Sequence, residues 1–139
     1  MIVNIINKLF EHSNHHIELR YDKNLHIPGF SFVEKNIYGQ FIPVIAINLD
    51  LIPNNESIMA HILSHEWGHH ILNHIKLNPI KETQEEIRKK ETEADKYAVS
   101  FCKKYKYKGN FILQTARSNN NKHVKEIIIN KNFFENEYK

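Results

Sequence analysis

Residues 55–76 read NESIMAHILSHEWGHHILNHIK, and this stretch decides the architecture around which the rest of the chain must be built. Asn55 is a favourable N-cap residue, and the glutamate after it suits the positive end of a helix dipole. Pro79 lies just beyond the stretch, and the residue before a proline is pushed out of the helical region. We therefore predict one long helix from about Asn55 to about Lys76.

This helix carries His65-Glu66-Trp67-Gly68-His69, an H-E-x-x-H motif. Histidines four residues apart lie one above the other on a helix, so both imidazoles can reach a single metal ion, with Glu66 beside it. Zinc suits neutral imidazole ligands, and a catalytic zinc keeps three protein ligands and leaves its fourth position to water. We predict one Zn²⁺ per chain, bound by His65, His69 and a third ligand. A histidine-rich solvated helix without a metal is the alternative.

The third ligand is expected on a second long helix, predicted over about residues 81–108. Glu91 and Asp95 are four residues apart and share one face of this helix, whereas Glu93 lies about 200° away from Glu91. The face with Glu91 also carries the apolar residues of the helix, which are Ile87, Ala94, Ala98, Phe101 and Tyr105. We assign Glu91 as the third ligand and Asp95 as the carboxylate that accepts a hydrogen bond from a ligating imidazole. Salt bridges to nearby basic side chains are the alternative for both carboxylates.

Four other residues of the motif helix have structural interpretations. Gly68 in mid-helix costs about 1 kcal/mol relative to alanine, so we expect another element to pack closely against it. Trp67 is expected to lie in the core or in an interface. His70 and His74 point away from the two motif histidines and are expected at the surface or at the helix end.

The remaining elements complete an α+β domain. A short helix is expected over residues 2–10 and a strand over 17–21. Further strand material is expected over 30–32 and 37–41, interrupted near Lys35-Asn36 and at Gly39, and a buried strand over 44–49. Gly109 is expected to cap the second long helix, and two short helices are expected over 111–117 and 123–130. These strands predict a small antiparallel sheet packed on the motif helix.

Length and composition narrow the class of protein. The 139 residues fit a single domain over 1–139, with a core over about 1–108 and a short helical C-terminal extension over about 109–139. The formal net charge of +3 does not indicate direct binding of nucleic acid. Cys102 is the single cysteine, so no internal disulfide can form and the cytoplasm is the expected compartment. No secretory signal and no apolar run of about 18 residues is recognised, so no membrane association is expected.

Two motifs carry a resemblance to a known family. His65-Glu66-Trp67-Gly68-His69-His70 and the later Glu91-x-Glu93-Ala94-Asp95-x-Tyr97-Ala98 resemble the gluzincin zinc metallopeptidases, most closely the ImmA/IrrE-type family of small bacterial and phage proteins. With the strand before the motif helix, the resemblance covers roughly residues 37–102. It implies the α+β fold of a minimal gluzincin, with zinc bound by the two motif histidines and Glu91, and with Glu66 acting on water.

The resemblance also implies a substrate class. Members of the family typically cleave helix-turn-helix repressors and so derepress phage, mobile-element or stress genes. The expected protein partner is therefore a regulator such as a repressor or an antitoxin. Residues 101–108 are rich in lysine and aromatic residues where the family has leucine or alanine, and the C-terminal extension is short. Both departures leave the identity of the substrate open.

The expected chemistry is peptide-bond hydrolysis by a zinc-activated water. Glu66 would take a proton from that water as general base and deliver it to the leaving nitrogen. A donor that stabilises the developing oxyanion is also needed. The candidates are His61, Tyr38 and His123, which are expected to line the cleft. Two alternatives from other classes stay open, a catalytically silent zinc-containing interaction module and a DNA-associated regulator.

Overall fold

The computed structural model describes residues 1–75 and 81–107. These residues form three α-helices and one three-stranded sheet, so the predicted α+β class is confirmed. In chain order the elements are α1 (Ile2–Ser13), β1 (Glu18–Tyr21), β2 (Gly29–Lys35), β3 (Phe41–Ile47), a 3-10 turn (Leu49–Leu51), α2 (Glu56–Ile71) and α3 (Gln84–Lys104). The helices predicted over 111–117 and 123–130, the cap at Gly109 and the C-terminal extension lie outside the described residues. No helix in the described ranges combines the length and the apolar character that crossing a bilayer requires.

The sheet is mixed, and its strand order is β1-β3-β2. β2 and β3 form an antiparallel hairpin with Ser31 opposite Ile45, but β1 runs parallel to β3 with Leu19 opposite Ile45. The prediction of a purely antiparallel sheet is therefore wrong for one of the two strand pairs. β1 and β2 run in opposite directions. β3 reverses direction again and inserts between them, so it runs parallel to β1 and antiparallel to β2. As the central strand, β3 is buried throughout Val44–Ile47.

The turn of the β2–β3 hairpin occupies residues 36–40, which belong in part to a segment predicted as strand. Asn36 Oδ1 accepts hydrogen bonds of 2.9 Å from two backbone N–H groups of the turn. Gly39 adopts a positive φ of 77°. Asparagine and glycine at such positions favour a tight turn over a strand. The strand predicted over 37–41 is therefore wrong except at Phe41, where β3 begins.

α2 begins where the sequence predicts and ends earlier than expected. Asn55 is the N-cap, and its side-chain oxygen accepts a hydrogen bond of 3.1 Å from a backbone N–H of the first turn. At the other end, Asn73 adopts a left-handed conformation with φ 58°, and the N–H of His74 bonds to the carbonyl of His69 at 2.9 Å. This is a Schellman motif, and asparagine tolerates the left-handed conformation better than most residues. The predicted continuation to about Lys76 is wrong because Asn73 turns the chain back.

α3 is shorter at both ends than predicted. Thr83 is its N-cap, and the Thr83 hydroxyl accepts a hydrogen bond of 3.1 Å from a backbone N–H of the first turn. At the C-terminal end, Lys106 adopts a left-handed conformation with φ 62°, so the helix ends before Gly109 is reached. The next residue, Tyr107, is buried, and its hydroxyl accepts a hydrogen bond of 3.0 Å from Lys8 Nζ on α1. α1 therefore anchors the segment that follows α3.

α2 lies at the centre of the described structure. Every residue from Ile58 to His69 is buried, because the sheet, α1 and α3 each cover part of the helix. A helix covered on all sides must find partners for its polar groups within the protein. Trp67 illustrates this, since its side chain is buried and its indole N–H donates a hydrogen bond of 2.9 Å to Ser13 Oγ on α1. The predicted core position of Trp67 is confirmed.

Gly68 allows α3 to approach the backbone of α2. A Cβ atom at this position would lie 3.0 Å from both Cβ and Cδ1 of Tyr97. Carbon atoms attract at separations of about 3.5–4.0 Å, so such a contact would be repulsive. The close packing predicted for Gly68 is confirmed, and Tyr97 is the residue that provides it.

Gly68→Ala is expected to destabilise the protein by about 1 kcal/mol. Overpacking costs about 1–3 kcal/mol, and the better helix propensity of alanine offsets about 1 kcal/mol of that cost. Urea unfolding of the wild type and the variant measures the difference. A stabilisation of about 1 kcal/mol, as expected for a helical glycine with open space around it, would contradict the contact with Tyr97.

Candidate metal centre

Three potential ligand residues converge between α2 and α3. His65 and His69 lie near the C-terminal end of α2, and Glu91 lies in the first half of α3. The Nε2 atoms of the two histidines are 3.2 Å apart. The Glu91 carboxylate lies 2.9 Å from Nε2 of His65 and 3.3 Å from Nε2 of His69. Both histidines are buried, and the Glu91 side chain is 18% exposed, so the three groups face one another at the edge of the core.

These distances suit a metal ion. In a tetrahedral zinc site with bonds of about 2.0–2.1 Å, neighbouring ligand atoms are about 3.3–3.4 Å apart. The three separations here lie at or just below that value, and imidazole nitrogen and carboxylate oxygen are both zinc ligands. His65, Glu66 and His69 also form a buried group whose ligand atoms all lie within 4.8 Å of one another. The end of α2 could therefore hold a metal ion.

Asp95 contacts His65 on the ring edge opposite Glu91. Asp95 Oδ1 lies 2.7 Å from His65 Nδ1, and both side chains are 1% exposed. Because a carboxylate can only accept a hydrogen bond, His65 Nδ1 carries the proton and donates it. When the ring is neutral, its lone pair is therefore at Nε2, the atom that faces Glu91 and His69. This is the contact that the four-residue spacing of Glu91 and Asp95 predicts.

The electrostatics of the site are dominated by its carboxylates. Burial by itself lowers the pKa of His65, but Asp95 and Glu91 outweigh burial and hold this pKa well above 6.5. Burial likewise raises the pKa of Glu91, and hydrogen bonds with His65 and His69 outweigh it and bring this pKa far below 4.5. His65 is therefore protonated between two carboxylates when no metal is bound. A metal ion at Nε2 must displace that proton.

Glu66 faces the same region and is held by β2. The Ser31 hydroxyl lies 3.0 Å from Glu66 Oε1 and 2.9 Å from the backbone carbonyl of Glu66, so it can donate to either. A Cβ atom on Gly29 would lie 3.1 Å from Glu66 Cγ, which places the backbone of β2 directly against this side chain. The H-E-x-x-H motif predicts neither the hydrogen bond with Ser31 nor the close approach of Gly29. The alternation of a strand, which puts Gly29 and Ser31 on one face, was the available signal.

His69 also has a partner that sequence analysis missed. His74 Nδ1 lies 2.9 Å from His69 Nδ1, and His74 Nε2 lies 3.0 Å from Glu93 Oε2. His74 is 8% exposed, so of the two predicted positions, the surface or the helix end, it takes the helix end. The physical reason is the left-handed turn at Asn73, which directs His74 back towards α2. The asparagine at this position is compatible with such a turn, but the sequence fits continuation of the helix equally well.

The site opens into a cleft of about 210 Å³. Glu66 and His69 line it from α2, residues 29–31 line it from β2, and Ile87 and Glu91 line it from α3. Within the described sheet, β2 is an edge strand because β3 is its only neighbour. Glu66 and His69 therefore lie beside the free edge of a strand.

Of the other candidate cleft residues, His61 and Tyr38 are described, and neither is brought to this site. His61 is fully buried, and its Nδ1 lies 4.0 Å from Cys102 Sγ in the core. Tyr38 lies in the hairpin turn, is 81% exposed and does not line the cleft. His123 lies outside the described residues.

The sequence model of the family described as Peptidase U49 matches residues 57–128, just over half of the chain. The matched range includes α3 and nearly all of α2, the two helices that carry the potential ligands. No curated protein and no solved structure matches the chain. With its buried H-E-x-x-H group inside the matched range, the chain belongs to the Peptidase U49 family and is thus a member of a family of peptidases.

Proposed function

We propose that this protein is a zinc-dependent metalloendopeptidase of the ImmA/IrrE type. The observation that carries the proposal is the convergence of His65 Nε2, His69 Nε2 and the Glu91 carboxylate, at separations of 2.9–3.3 Å. Structural zinc sites are closed by four protein ligands, whereas catalytic sites leave one position open. Here two of the three ligand groups, His69 and Glu91, line a cleft, and Glu66 lines the same cleft. This arrangement favours catalysis over a purely structural metal.

Each residue has a role that follows from its contacts. His65, His69 and Glu91 would hold the metal, and Asp95 would fix the ring of His65 through its Nδ1 proton. Zinc bound there would lower the pKa of its bound water to about 7 and would polarise the substrate carbonyl. Glu66 would take the proton of the attacking water at its carboxylate and pass it to the leaving nitrogen. The Ser31 hydroxyl orients that carboxylate from β2.

The free edge of β2 offers a surface for the substrate backbone. Residues 29–31 border the cleft that contains Glu66 and His69. An extended peptide that adds to this edge as a further strand would run past the reactive groups. The proposed substrate is a protein regulator, such as a helix-turn-helix repressor or an antitoxin, which acts in the cytoplasm. The resemblance of the two motifs to the ImmA/IrrE type supports this choice.

Removal of any one ligand is expected to abolish stoichiometric metal binding. His65→Ala, His69→Ala and Glu91→Ala each remove one of three donors, so the purified variants should retain much less than one zinc per chain. Metal analysis after dialysis measures this, and His26→Ala, which changes an exposed histidine, is the matched control. If His65→Ala and Glu91→Ala both kept one zinc per chain, the proposed ligand set would be wrong.

Glu66→Gln is expected to keep zinc and to lose activity. Removing a general base typically lowers the rate by about 10²–10⁴-fold, and the amide cannot take up the proton. Cleavage of a mixed library of fluorescence-quenched peptides by the zinc-loaded proteins measures the rate. An unchanged biological effect of Glu66→Gln would instead favour a catalytically silent zinc-containing module, and salt-dependent binding of DNA would favour a DNA-associated regulator.

The pH dependence of stability is expected to differ between the metal-free and the zinc-loaded protein. Because the native pKa of His65 is raised, the metal-free native protein binds one more proton than the unfolded chain above about pH 6.5. The stability from this histidine is complete below that pH and falls as pH rises, by up to about 1.4 kcal/mol per pH unit. With zinc bound, His65 is neutral in the native state, so the fall is absent.

Urea unfolding between about pH 6.5 and about pH 8, in chelator and in zinc, tests this difference. Burial lowers the native pKa of His12, His70 and His74, so these residues make stability rise with pH near the lower end of this window, but they do so equally in chelator and in zinc and cancel in the comparison. An equal fall in stability under both conditions would contradict zinc binding through His65.

A further inference from the structure

A chain of two hydrogen-bonded side chains connects His69 to the surface of α3. His74 Nδ1 lies 2.9 Å from His69 Nδ1, and His74 Nε2 lies 3.0 Å from Glu93 Oε2. The His74 side chain is 6% exposed and that of Glu93 is 39% exposed. The chain therefore runs from one buried imidazole through a second to a carboxylate that reaches solvent.

Metal binding at His69 Nε2 imposes one order of protons on this chain. Nε2 must offer its lone pair, so a neutral His69 carries its proton at Nδ1 and donates it. The acceptor is His74 Nδ1, and His74 must then carry its own proton at Nε2. That N–H faces Glu93 Oε2, which can only accept. The opposite tautomer of His74 would set two N–H groups against each other.

The backbone and a second side chain hold His74 in this place. The His74 N–H bonds to the carbonyl of His69 at 2.9 Å, as the Schellman motif at Asn73 requires. Lys90 Nζ donates a hydrogen bond of 3.1 Å to the carbonyl of His74, and Lys90 also pairs with Glu82 at 2.6 Å. The position of the imidazole is thus fixed from both α2 and α3.

We infer that His74 and Glu93 are positioning residues, which fix the tautomer and the orientation of His69 so that its Nε2 faces the metal. The inference rests on the proposed function and specifies how His69, the second of the two proposed histidine ligands, is oriented. Asp95 makes the corresponding contact with His65 directly. His69 differs because a neutral imidazole stands between it and the carboxylate.

The proton order is tested in the wild-type protein. Long-range ¹H–¹⁵N spectra of zinc-loaded protein with ¹⁵N-labelled histidine report which ring nitrogens carry protons. We expect a protonated Nδ1 on His69 and a protonated Nε2 on His74. A His74 ring protonated at Nδ1 with a bare Nε2 would overturn the inference.

The contribution to metal binding is tested with three variants and a control. Loss of a residue that orients a metal ligand typically lowers metal affinity by about 10–100-fold, so His74→Phe and Glu93→Ala should each weaken zinc binding by roughly 10-fold or more. Glu93→Gln should restore most of the affinity of Glu93→Ala, since its amide oxygen can accept from His74 Nε2. Glu85→Ala, which changes an exposed glutamate of α3, should leave zinc affinity unchanged. Competition with a chromophoric chelator measures all five proteins.

The positioning role and the proposed function fail under different outcomes. If the wild type does not bind one zinc through His65 and His69, the proposed function fails. If the wild type binds zinc but Glu93→Ala stays within about twofold of Glu85→Ala, the positioning role alone is refuted. Glu93 is partly exposed, so this comparison decides the matter even if His74→Phe does not fold.

Discussion

The close packing of α3 on α2 is the constraint on which the site depends. Gly68 lets Tyr97 lie against the backbone of α2. At this separation, the carboxylates of Glu91 and Asp95 reach the two nitrogens of His65 at 2.9 and 2.7 Å. Hydrogen bonds weaken steeply beyond about 3.2 Å, so helices held further apart would lose both contacts. The packing that stabilises the fold and the geometry of the metal centre are therefore set by the same contact.

The helical periodicity of the sequence is sufficient to predict which site residues lie together on one face of a helix. The spacing of four residues places His65 above His69 on α2 and Glu91 above Asp95 on α3. The choice of Glu91 over Glu93 follows from the apolar face of α3. In the described part of the chain, Glu91 contacts the motif histidines and Glu93 contacts His74. What these residues bind and do stays a prediction, since a contact does not establish a role.

Contacts between distant elements have no comparable signal in the sequence. Ser31 contacts Glu66 across 35 residues of chain, and the parallel pairing of β1 with β3 depends on which strand inserts into the sheet. His74 is only five residues from His69, yet its place depends on the left-handed turn at Asn73. That turn competes with continuation of the helix, and the residues after Asn73 fit a helical pattern equally well. A local pattern therefore could not decide between the two.

The charge balance of the buried site explains why these residues could hold a cation. Glu66, Glu91 and Asp95 supply three carboxylates, and their charges raise the pKa of His65 despite its burial. Charges removed from water are costly unless they are compensated, and one imidazolium cannot balance three carboxylates. A divalent ion displaces a single proton and adds two charges, so it brings the site closer to neutrality while Asp95 stays paired with His65. If Glu91 bound that ion and Asp95 stayed with the ring, Glu66 would be the remaining carboxylate to exchange a proton with a molecule in the cleft.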